Sequence, residues 1–102
     1  KEQNLFLKDH KYRNSFNALF DIARIAVMAY IGSEETRWGQ LRRTLPQPFE
    51  DRFGQIIDTL HISYFYHGDY LKENVDEEFK RWRDRVKQFV DDLERAASVK
   101  TG

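Results

Sequence analysis

The 102-residue sequence contains no cysteine. A disulfide scaffold, a thiolate zinc site and a thiol nucleophile are thereby excluded. Neither sign of charge is in excess, because 17 basic residues meet 17 acidic ones. No apolar run approaches the ~20 residues that cross a bilayer. Lys1-Glu2-Gln3-Asn4 does not open like a signal peptide, so the expected home is cytoplasmic. Bulky material is plentiful: eight Phe, five Tyr and two Trp. Disordered chains are poor in such rings and unbalanced in charge, so this is a folded domain despite its many charged residues. At this length a single domain over residues 1–102 is expected. The start on Lys rather than Met reads as a domain excised from a longer chain.

Apolar periodicity then sets the elements. From about His10 to Ile31, residues Phe16, Leu19, Phe20, Ala23, Ala26, Val27 and Tyr30 recur at helical spacing. Ile22, Ile25, Met28 and Ile31 widen the stripe, which predicts a central helix surrounded by others. Arg13, Asn17, Asp21 and Arg24 form its wetter face, and Gly32 can take the left-handed cap. Leu5, Phe6 and Leu7 read as the tail of an earlier helix. Ser33 to Thr36 are placed to cap a short helix carrying Trp38 and Leu41, which Pro46 and Pro48 stop. Pro48 suits the first position of the next helix, whose stripe is Phe49, Phe53, Ile56, Ile57, Leu60 and Tyr64 and which closes at His67-Gly68-Asp69-Tyr70. A last helix begins near Asn74 or Val75 and buries Phe79, Trp82, Val86, Phe89, Val90 and Leu93. The fold class is all-α, an up-and-down bundle of about four helices with antiparallel neighbours joined by short connections.

Strong chemical signatures are missing. There is no HExxH, nucleophile elbow, GxGxxG or P-loop, and no metal or cofactor is expected. His61 and His67 are six residues apart, about 120° around a helix, and so are poorly placed to share a metal. The three histidines read as surface or helix-end residues, with His67 beside Asp69 the one pair that resembles an oriented base. Arg37, Arg42, Arg43 and Arg52 cluster, as do Lys80, Arg81, Arg83, Arg85 and Lys87. A basic face of this kind neutralises phosphates, and pairing within helices is the competing account. Asp76-Glu77-Glu78 reads as a solvated face. The run Tyr64-Phe65-Tyr66 points in three directions on a helix, so at least one ring is expected at the core edge, on a ligand, or in a twofold dimer interface.

The segment from Tyr12 to Arg24, with Phe16, Ala18-Leu19-Phe20 and Ala23-Arg24, resembles a helix of HEPN-domain proteins. Asp69-Tyr70 resembles the Asp-Tyr that follows their third helix, and the likeness spans about residues 5 to 97. It implies a helical bundle, a homodimer, and a toxin–antitoxin or defence setting with a small nucleotidyltransferase-type partner. The family's Arg, four to six residues, then His is absent, and Phe65 stands where relatives often carry Arg. Without a fixed cation and a positioned imidazole, the ribose 2′-hydroxyl has no evident activator. The expectation is therefore a non-catalytic dimerising module that binds a nucleotidyltransferase-type protein, RNA or a nucleotide. The alternative is a metal-independent ribonuclease with His67 as acid or base, Asp69 orienting it, and Arg13, Arg24 and Tyr70 holding phosphate. A purely structural interaction domain is the third class.

Overall fold

The computed structural model describes the backbone of residues 2–101 and the side chains of residues 7–99. Four helices follow in order: α1 (Glu2–Ile31), α2 (Trp38–Thr44), α3 (Phe49–Ile56) and α4 (Val75–Thr101). A wide-turned π-helical segment, Ile57–Tyr66, prolongs α3 without a break. There is no strand among the described residues. The expected all-α bundle is the architecture.

α1 runs antiparallel to the α3 rod. Tyr30 meets Phe49 near one end, Asn17 bonds His61 near the middle, and Arg13 reaches Phe65 at the other end. α4 returns antiparallel to α3, with Phe89 stacked on Phe53 and Asp92 paired to Arg52. α1 and α4 therefore lie parallel, with Tyr12 bonded to Asp76 and Phe16 against Phe79. Phe16, Phe20, Ala23, Val27, Phe53, Ile57, Leu60, Val86, Phe89 and Leu93 fill the space between the three rods.

Several local expectations are refined. α1 starts well before His10, so Leu7 belongs to it and not to a separate helix; the side chains of Leu5 and Phe6 lie outside the described residues. Gly32 closes α1 in the left-handed region (φ 73°), and its N–H and that of Ser33 both reach the Met28 carbonyl. α1 is not surrounded: α4, the α3 rod and the short α2 all pack against it, yet Ile22 and Ile25 remain 51% and 59% exposed. Neither Ser33 nor Thr36 caps α2. Glu35 instead accepts from the backbone N–H groups of Thr36 and Arg37, and from the Arg37 side chain. Pro48 precedes rather than begins α3. α4 continues through Thr101 where fraying was expected.

Candidate functional site

The π-helical segment positions the site. Regular i→i−4 bonding gives way to wider turns, and the N–H of His67 closes the last one on the Ile62 carbonyl at 3.1 Å. π-helical turns are rare, usually single, and frequent at functional sites. Here they place residues i, i+4 and i+5 on one side, so that His61, Phe65 and Tyr66 form one group. The His61 ring centroid lies 5.9 Å from that of Phe65, nearly parallel to it, and 4.9 Å from that of Tyr66 in an edge-to-face arrangement. Phe20 of α1 stacks on the same imidazole at 4.5 Å, and Trp38 of α2 meets it edge-on at 6.1 Å. Tyr66 is 61% exposed; His61, Phe65 and Trp38 are half-buried. The result is an aromatic ledge with a sealed inner side and an open outer one.

The His61 Nδ1 lies 2.9 Å from the Asn17 amide oxygen. With that oxygen as acceptor, Nδ1 carries the proton and Nε2 remains a lone-pair acceptor. Burial pushes the imidazole pKa below its usual value, with nearby Arg24 acting in the same direction and Asp21 opposing. Two arginines flank the ledge. Arg13 donates through Nε to the Phe65 carbonyl (2.8 Å) and through Nη2 to the Tyr66 carbonyl (2.7 Å). Arg24 donates to the Thr36 carbonyl at 3.3 Å and pairs with Asp21 at 3.5 Å. A guanidinium carries five N–H donors, so each retains capacity.

Behind the ledge, Arg13 also pairs with Asp9 at 3.5 Å, which borders an open cleft of about 650 Å³. Asp9 accepts the Tyr70 hydroxyl and the Lys72 ammonium. Those donors, Tyr70 first, lower its carboxyl pKa against the opposing effect of burial. Tyr70 itself is buried, and burial followed by Asp9 raises its hydroxyl pKa strongly. Lys72 lies 3.7 Å over the Tyr70 ring and also bonds the Gly68 carbonyl at 2.7 Å.

The residues singled out in the sequence are thus divided. Arg13 and Arg24 flank the ledge. Tyr70 lies inside the bundle with its hydroxyl on Asp9, its ring edge beside the cleft. His67 and Asp69 are both exposed, and among the described residues no hydrogen bond or ion pair joins them. Tyr64 turns inward: its ring meets Phe16 at 4.8 Å and its hydroxyl donates to Glu78. Glu78 is correspondingly buried, not solvated, and accepts from Arg81 as well. Phe65 faces His61, and Tyr66 faces solvent. The basic clusters are largely engaged within the chain. Arg37 holds Glu35, whose carboxyl falls to about 2 chiefly through that side-chain bond; Arg52 holds Asp92; Arg42 lies flat over Gly54; and Arg85 lies over Trp82.

Sequence reasoning missed Asn17, His61 and Trp38 as partners. The available signal was a lone Asn on the wet face of α1, opposite a lone His in an otherwise apolar stretch. Among the described residues no group of acidic or histidine side chains is arranged to hold a metal ion, and no helix is long and apolar enough to cross a membrane.

No family model, curated protein or solved structure matches the chain.

Proposed function

We propose that the chain is a HEPN-like helical module that binds without cleaving, and that its ligand is single-stranded RNA or a nucleotide whose base stacks on the Tyr66–His61 ledge. One observation carries this reading: an exposed tyrosine ring standing on a caged imidazole, between two arginines. Single-stranded nucleic acids are held by this combination of π-faces for bases and guanidinium groups for phosphates. Neutral overall charge limits the electrostatic share, so affinity rests on stacking and on Arg13 and Arg24. The oriented acid–base pair that cleavage would require is not assembled by His67 and Asp69, which favours binding over catalysis.

Fluorescence anisotropy with a labelled oligouridylate tests this. Wild-type protein is expected to bind at low salt, with log affinity falling against log salt at a slope of about −1.4 for two neutralised phosphates. Tyr66→Ser removes one stacking face and is expected to weaken binding by about 1–3 kcal/mol, whereas Tyr66→Phe keeps it. The bound oligonucleotide is recovered intact. Equal binding by Tyr66→Ser and wild type, or cleavage that His67→Ala abolishes, overturns the reading.

A further inference from the structure

The cleft behind the ledge holds two tyrosine–carboxylate pairs of the same make. Tyr70 donates its hydroxyl to Asp9, Tyr12 donates its own to Asp76 at 3.1 Å, and the two rings lie 6.2 Å apart. The first pair holds an ammonium. Lys72 sets its Nζ 3.7 Å over the Tyr70 ring and 3.2 Å from Asp9, so a π-face and a carboxylate together make the seat. At the second pair, no Lys or Arg of the described residues stands over the Tyr12 ring. Glu73, in the loop that leads into α4, adds a further carboxylate to the lining. Lys8 also lines the cleft and lies one helical turn before Tyr12 on α1, about 6 Å along the axis. Both Lys8 and Glu73 are exposed, and neither is hydrogen-bonded or ion-paired among the described residues. The cleft thus offers uncommitted negative charge at the level of Tyr12 and uncommitted positive charge one turn away. Its volume of about 650 Å³ is that of a small-molecule site.

We infer that the cleft binds a zwitterion of dipeptide length, with its ammonium on the Tyr12–Asp76 pair beside Glu73 and its carboxylate on Lys8. The spacing selects the length. A single α-amino acid carries its two charges on one carbon, too close together to reach both seats, whereas two extended residues span about 7 Å. The ammonium seat repeats the chemistry that Lys72 already uses next to it. Asp76 raises the Tyr12 hydroxyl pKa, chiefly through their hydrogen bond, so the hydroxyl keeps its proton and holds the carboxylate in place. Each end of the ligand has its own partner, and the two contributions are separable.

Titration of the full ¹⁵N-labelled chain with the dipeptide Ala-Ala at low salt, followed by NMR shifts, tests this. Saturable binding is expected with a dissociation constant on the order of 1 mM, with the shifts centred on Lys8, Tyr12 and Glu73. N-acetyl-Ala-Ala, which lacks the ammonium, and Ala-Ala-amide, which lacks the carboxylate, should each bind about tenfold more weakly, and free alanine more weakly still. In Lys8→Gln, Ala-Ala and its amide should bind alike. In Glu73→Gln, the gap between Ala-Ala and its N-acetyl form should narrow. Both substitutions are at exposed positions, so the folded spectrum is expected to persist. A further ligand, 5-aminopentanoate, has similar charge spacing and no peptide group: binding equal to Ala-Ala assigns the site to charge spacing alone, and weaker binding assigns it to peptides. Absence of saturation, equal binding of the capped and uncapped dipeptides by wild type, or a Lys8→Gln protein that still prefers the free carboxylate overturns the inference. The ledge takes no part in these readouts, so Tyr66→Ser should bind Ala-Ala as wild type does, and failure of oligonucleotide binding leaves the cleft standing.

Discussion

His61 is enclosed by rings while its Nδ1–H donates to the Asn17 amide oxygen, and that has a consequence for stability. Its pKa in the folded chain lies below the ordinary ~6.5 of an unfolded one. Between those values the unfolded chain binds more protons than the folded one, so stability rises with pH there and falls as pH drops below about 6.5. The depressed carboxyls Asp9 and Asp92 act in a separate window, losing their contribution only as pH falls below about 4. Melting temperature is therefore expected to decline from pH 7 to pH 5 in wild type and to be flatter in His61→Asn, which differential scanning calorimetry measures. At this scale the sequence was least legible. Glu78 sits in an acidic run that reads as solvated, and nothing local announces that Tyr64 descends from another element to meet it. His61 looks like a helix-end histidine until α1 brings Asn17 and Phe20 to it.

Among elements, the α3 rod shows how a distant side chain holds an irregular one. The final wide turns leave carbonyls that regular bonding does not use, and Arg13 takes two of them across the interhelical gap. Gly68 then reverses the chain with φ 66°, a conformation that strains any other residue. Arg13→Met keeps the aliphatic packing but removes both bonds and the Asp9 pair. A charged donor to a partly buried carbonyl is worth about 1.5–3 kcal/mol. Allowing for solvent at Tyr66, a loss of about 2 kcal/mol and a melting point roughly 8–16 °C lower are expected for this size. Thermal circular dichroism reports it, with Arg13→Lys falling between. The helical character of Ile62–Tyr66 was legible from its place inside a three-and-four pattern. Its wide turns were not, since they depend on Arg13, some fifty residues away.

For the molecule as a whole, apolar spacing made the three long rods and the stops at Gly32, Pro46 and Gly68 legible. The exception was the idea of a surrounded α1. α4, the α3 rod and the short α2 cover the core stripe of α1 but not the residues that widen it, and Ile22 and Ile25 were left over. The centre of stability is where the rods meet at Phe16, fully buried against Tyr64, Tyr70 and Phe79. Phe16→Ala opens a cavity there and is expected to cost about 3–5 kcal/mol. Urea unfolding should show this as a lower midpoint with an unchanged slope.

Trp38 stands edge-on to the His61 imidazole at 6.1 Å, whereas Trp82 is buried beneath Arg85. The two indoles therefore report separately: emission from the first follows what happens at the ledge, and emission from the second follows the integrity of the interior.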